Sequence, residues 1–242
     1  MARQRKLALR FAALCSLSLP AFAQLASTSG TVNFGDIRED DGPKTVRTFV
    51  RNEGTDSVSI VQVRPTCGCT AANFEKVMMA PGDSAWIELT YNPYRRPGRF
   101  EKAVKVYPSS GEMIRIPIEG TVFASAETLD RIYPSDGGLL RLAESTLMPP
   151  NPVGCEKVTL YIDFYNPNDF AVVPSIETDG ESISWESFPP EVSPGEKGMI
   201  GIYYDPLRES RSGRIEYVMT LRATSSIDAT TSSTPISLYI TK

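Results

Sequence analysis

Two cysteines one glycine apart, in Thr66-Cys67-Gly68-Cys69-Thr70, carry the clearest chemical potential in this 242-residue chain, which contains no histidine. Thiols at i and i+2 can form a disulfide, clamp one soft Cu(I) ion, or pack as small apolar groups. On an extended strand both face one side, with Cα atoms roughly 6.6 Å apart at about 3.3 Å per residue. That lies near the upper limit for a disulfide, and Gly68 can adopt conformations that shorten the gap. A bond in so small a ring is strained and easily reduced, as labile catalytic pairs are. In the metal reading, Met78 or Met79 supplies a third soft ligand. In the structural reading, the pair fills a sandwich edge at the end of a strand. The residues leave all three roles open, with the structural one ranked first.

Other chemistries are excluded more firmly. Without histidine there is no Ser-His-Asp or Cys-His catalysis and no histidine metal site. No glycine-rich loop follows a strand and opens a helix, as phosphate binding would need. The acidic run Glu39-Asp40-Asp41 lacks the spaced oxygen ligands of a calcium loop and reads as a solvated turn. The expectation is a non-enzymatic protein without a cofactor, Cu(I) at Cys67 and Cys69 being the exception.

The ends bound the location. Arg3, Arg5 and Lys6 precede an apolar run, residues 11–19, and then the small-x-small pattern Ala21-Phe22-Ala23. This reads as a signal peptide over 1–23, too short to span a bilayer, and Cys15 leaves with it. The first 23 residues hold four of the 25 basic residues and none of the 29 acids. The remainder therefore carries 21 bases against 29 acids, a net charge of −8. Such a balance argues against nucleic acid or anionic lipid as a partner. No later stretch is long and apolar enough to span a membrane, so the expected location is the periplasm or cell surface. Export permits disulfides, but Cys67, Cys69 and Cys155 are an odd number, and Cys155 reads as a spare or intermolecular thiol.

The elements that must position these residues are strands, and they recur. Residues 46–52 resemble 160–166, residues 80–93 resemble 193–206, and residues 98–107 resemble 213–222, at offsets of 114, 113 and 115. Near-constant offsets indicate two copies of one module. Val46, Thr48 and Val50 then correspond to Leu160, Ile162 and Phe164. Ile87, Leu89 and Tyr91 correspond to Ile200, Ile202 and Tyr204. Phe100, Val104 and Val106 correspond to Ile215, Met219 and Leu221, and Ile114, Ile116 and Ile118 to Ile236, Leu238 and Ile240. A period of two places each set on the inner face of a strand. Short alternating strands separated by Gly, Pro and Asn turns predict an all-β protein with two tandem immunoglobulin-like β-sandwich domains. They occupy 24–126 and 127–242, and the proline-rich approach at 147–155 is expected to be an extended edge segment.

The first copy resembles a bacterial Ig-like domain family of unknown function. The resemblance rests on "FGDIREDDGP" (34–43), Asn52-Glu53-Gly54, "TCGCT" (66–70), "APGD" (80–83), "TYNP" (90–93) and "RPGRFEKAVKV" (96–106). The family is similar in architecture to major sperm protein, hydin-type and pilus-chaperone domains, most of which bind other proteins. It implies fold and location, and hardly any activity. Outward-facing aromatics fit an interface: Trp86 in the first copy, and Tyr161, Tyr165 and Tyr203 in the second, although burial between the copies would explain the tyrosines equally well. The reading is an exported, non-enzymatic interaction or structural module that binds other envelope proteins. The alternative is a thiol-redox or Cu(I)-binding protein acting through Cys67 and Cys69.

Overall fold

The computed structural model describes residues 25–149 and 153–242. The expected signal segment, with Cys15, lies outside the described residues. The first half is built from β1 (Leu25–Ser27), β2 (Val32–Arg38), β3 (Lys44–Asn52), β4 (Val58–Pro65), β5 (Thr70–Phe74), β6 (Met78–Met79), β7 (Ser84–Tyr91), β8 (Gly98–Pro108) and β9 (Ile114–Phe123). A short helix, α1 (Ala126–Ile132), follows. The second half holds β10 (Ser135–Gly137), β11 (Leu140–Leu142), β12 (Thr146–Leu147), β13 (Val158–Tyr165), β14 (Val172–Glu177), β15 (Ile183–Phe188), β16 (Lys197–Tyr204), β17 (Arg214–Ser225) and β18 (Thr231–Thr241).

Each half is a two-sheet sandwich. In the first, the strand order β1-β3-β7-β5 faces β2-β9-β8-β4-β6; in the second, β10-β11-β13-β16-β15 faces β12-β18-β17-β14. Each opening segment serves both sheets. β1 pairs antiparallel with β3 and β2 parallel with β9, while β11 pairs antiparallel with β13 and β12 parallel with β18. Val58 opposite Met79 in the first half matches the bridge of Val172 to Val192 in the second.

Alternation accounts for the strands. β7 alternates outward and inward along its length, and Ala85, Ile87, Leu89 and Tyr91 are all buried. The expected inward residues Thr48, Val50, Phe100, Val104, Val106, Ile116 and Ile118 are buried in the first half. Ile162, Phe164, Ile200, Ile202, Tyr204, Ile215, Met219, Leu221, Ile236, Leu238 and Ile240 are buried in the second. Val46, Ile114 and Leu160 sit half-buried at the margins of the cores. The apolar interior forms two clusters, one drawn from 25–122 and one from 140–240.

Two local expectations, on the acidic run and on the cysteines, need correction. The break between 126 and 127 falls in the first turn of α1, whose N-terminus is capped by the Ser125 hydroxyl accepting from the Thr128 amide at 3.2 Å. Seven residues are too few for an apolar repeat to show. The acidic run is not wholly solvated: Asp40 and Asp41 are exposed, but Glu39 is 8% exposed. The cysteines lie in the turn between β4 and β5, outside both strands. The proline-rich approach contributes Leu147 to the edge strand β12, with 150–152 outside the described residues.

Candidate functional site

Cys67 and Cys69 are joined by a disulfide, with Cα atoms 5.3 Å apart. A turn brings them closer than an extended strand would, within ordinary disulfide range. Cys69 is buried, at 7% exposure, and Cys67 is half-buried. The Thr70 hydroxyl lies 3.5 Å from Cys67 Sγ and 3.9 Å from Cys69 Sγ. The turn is tied down at both ends. Thr66 N donates to the Ala103 carbonyl (2.9 Å), and the Cys69 carbonyl accepts from Asn92 N (2.8 Å). At the matching place in the second half, the Ser182 carbonyl accepts from Asp205 N at the same 2.8 Å, without cysteine.

The suggested soft ligands are not brought to this turn. Met78 and Met79 pair with Ser59 and Val58 at the start of β4, whereas the cysteines follow its end. Seven residues of strand separate the two places by roughly 23 Å. Met78 is 66% exposed and Met79 is 1% exposed within the core. Cys155 is a free, exposed thiol in the loop before β13.

The disulfide forms part of the wall of a cleft of about 600 Å³ between the halves, also lined by Tyr91, Arg96, Lys102, Tyr133 and Lys197. Its back is the junction. Glu39 accepts from the Arg95 amide (2.6 Å), the Ser125 amide (2.9 Å) and the Thr128 hydroxyl (2.7 Å). Burial pushes the Glu39 carboxyl up, but these donors outweigh it and hold the group below the usual carboxylate range. A conformational lock is one role such a carboxylate can fill, because it ties the turn after β2 to the start of α1.

Tyr165 belongs to this junction. It was expected on the outward face of its strand, either exposed or buried between the copies, and it is 1% exposed. Its hydroxyl accepts from the Ala124 amide at 3.0 Å, and its ring stacks on Tyr133 at 5.7 Å. It points away from its own core and is covered by the linker between the halves. Burial, then Asp163 and Tyr165, push the Tyr133 hydroxyl up to about 12.

The other aromatics remain on outer faces. Trp86 is half-buried under the Arg47 guanidinium, 5.0 Å from the ring centre, and Arg47 is held by Glu88 at 3.0 Å. Tyr161 is 52% exposed. Tyr203 lies over Gly201, where a Cβ would meet its hydroxyl at 2.8 Å. Gly201 is also the cross-strand partner of Tyr161, so the glycine leaves room for both rings. Phe188 and Met199 face each other across β15 and β16, 42% and 41% exposed, and extend the same outer face. Phe188 escaped the sequence reading because Pro189 and Pro190 follow it and mark a loop. Met199 carried a signal, being the outward neighbour of Ile200 in a correctly registered strand.

Residues 25–122 match the model of a family described as protein of unknown function (DUF1573). No curated protein matches the chain. Among solved structures, a protein of unknown function from Porphyromonas gingivalis W83 is similar at 12% identity, with 90% of this chain and 99% of that chain covered and a TM-score of 0.36. The ASH / PapD-like domain of human CEP192 is similar at 9% identity over 51% of this chain and 99% of that one, with a TM-score of 0.37. The Pseudomonas aeruginosa CupB2 chaperone is similar at 10% identity over 87% and 99%, with a TM-score of 0.30. Superpositions this loose assign no activity. No helix among the described residues is long and apolar enough to cross a membrane.

Proposed function

We propose that this chain is an exported, non-enzymatic module of the bacterial cell envelope that binds another protein. The observation that carries the reading is the outer face of β13, β16 and β15. There Tyr161, Tyr203, Met199 and Phe188, with Asp163 and Glu186 between them, form an aromatic surface on a sheet whose other side is a complete core. Rigid aromatics on a preformed sheet lose little conformational freedom on docking. The leader at 1–23 supports export. A photo-crosslinking residue placed at Tyr161 in cells that natively express the protein should give a discrete adduct with one envelope protein. The same residue at Val218, which is 60% exposed on the opposite sheet of the same half, should not. Identical adducts at both positions, or none at Tyr161, would sink the proposal.

A second reading, thiol exchange at Cys67 and Cys69, is favoured by one observation: the disulfide lies on the wall of an open cleft beside Arg96, Lys102 and Lys197. Those cations would stabilise the thiolates released by reduction. Replacing both cysteines by serine should abolish a reversible dithiol couple in this reading and leave the crosslink at Tyr161 unchanged.

A further inference from the structure

The outer face of the β2-β9-β8-β4 sheet carries a row of cations, of which Arg64 lies over the Tyr107 ring at 5.9 Å. Lys105 on β8 stands directly opposite Arg64 on β4 on one side and Arg115 on β9 on the other. Their neighbours in sequence, Val63, Val104, Val106, Ile114 and Ile116, turn into the core, so all three long side chains point outward. Like charges directly opposite in adjacent strands destabilise a sheet. Among the described residues, none of the three is in an ion pair. The glutamates nearby on this face, Glu101 and Glu119, are both engaged by Arg99, at 3.1 Å each. At the matching place in the second half, Glu177, Thr220 and Pro235 are in register, an acid, a hydroxyl and a proline in place of three cations. The architecture therefore forms without the row.

We propose that Arg64, Lys105 and Arg115 are a docking site for an acidic helix of a partner protein. The cations lie on three neighbouring strands, spaced about 4.8 Å apart across the sheet. A helix lying across the strands with one acid per turn presents carboxylates about 5.4 Å apart, a mismatch that flexible Lys and Arg side chains absorb. An extended acidic strand presents same-face carboxylates about 6.6 Å apart and loses register by its third charge. A long polyanion meets an overall net charge of −8 beyond the row, whereas one short helix does not. The class of partner rests on the protein-binding reading above; the surface is a different one, on the other half of the chain.

The test uses the full mature chain and a labelled alanine-based helical peptide with one glutamate per turn along one face. We expect saturable binding that weakens steeply with salt, falls about tenfold in Lys105→Ser, and is unchanged in Tyr161→Ser/Tyr203→Ser. Lys105→Ser should also melt at or above the wild-type temperature, because it relieves like-charge contacts. The site is overturned if the peptide does not bind, if Lys105→Ser binds it equally well, or if that variant melts lower. It is likewise overturned if a proline-broken peptide of the same composition, or polygalacturonate, binds as tightly as the helix. Crosslinking at Tyr161 is independent of every one of these results, so the two proposals fail separately.

Discussion

Asn52 and Asn166 occupy the same place in the two sandwiches and make the same hydrogen bonds. Each is fully buried at the end of a strand. The Asn52 amide donates to the Asp56 and Met79 carbonyls at 2.8 and 3.1 Å; that of Asn166 donates to Phe170 and Val192 at 2.8 and 3.1 Å. Each side-chain oxygen accepts from the backbone amide two residues on, Gly54 or Asn168, at 3.0 Å. One side chain thus closes the turn and pins it to the facing strand. Asn166→Ala should destabilise by roughly 2–4 kcal/mol, since it strands buried carbonyls, and Asn166→Asp should do no better. Urea melts of both variants against wild type give the answer.

Core truncation separates inward from outward positions on a single strand. Phe164→Ala should cost about 3–5 kcal/mol, and the outward Asp163→Ala should cost little. Gly198 lies against the Phe164 ring, where a Cβ would approach within 2.5 Å, so Gly198→Ala should cost about 1–3 kcal/mol through overpacking. Equal losses from Phe164→Ala and Asp163→Ala in chemical melts would refute the register.

These features differ in how far residue order alone reveals them. Val50, Leu89, Phe164 and Ile202 announce themselves because burial on one sheet face forces a period of two. The buried asparagines read only as turn residues, since their partners, Met79 and Val192, lie 27 and 26 residues away. Glu39 looks like any surface acid for the same reason: its donors come from 56 to 89 residues further along the chain. Tyr165 was correctly turned away from its own core, but what covers it is the linker. A pattern within one strand carries no information about that.

The Cys67–Cys69 disulfide should be dispensable for the fold. It closes a very short loop, and the Ser182 turn keeps the same backbone hydrogen bond without it. Cys67→Ser/Cys69→Ser should retain the β-sheet circular dichroism spectrum and lose at most about 2 kcal/mol. A variant that fails to fold would make the bond a structural requirement.

Acid should weaken the protein through two carboxylates. Glu209 is held at about 2, from an ordinary 4.5, chiefly by the Arg211 side chain and amide, against burial, and with help from Arg211 and Lys242 charges. Glu39 is also lowered. A carboxyl whose folded pKa lies below its unfolded one stabilises fully above the unfolded value and loses that contribution as pH falls through the folded one. For Glu209 the loss runs from about 4.5 down to about 2. Melting temperatures of wild type and Glu209→Gln should therefore differ at pH 6 and converge near pH 2. A gap independent of pH would refute the ionised role.

Each half should also unfold as its own unit, because the buried clusters share no residue. A chain beginning at Glu127 should give a β-rich spectrum and melt cooperatively, at a lower temperature than in the intact protein, since Tyr165 loses the Ala124 amide. Failure to fold would show that the junction is part of the second core.

The parallel pairing of β2 with β9 sets a schedule for synthesis. β2 is synthesised well before its partner β9, which ends at Phe123 and is the last strand of the first sandwich. Until then the edge it will cover stays open and the sheet remains unfinished. Such closure is slow and leaves unpaired backbone exposed in the meantime. Cells that make this protein quickly would therefore need a holding factor to bind the nascent first sandwich until residue 123 has emerged.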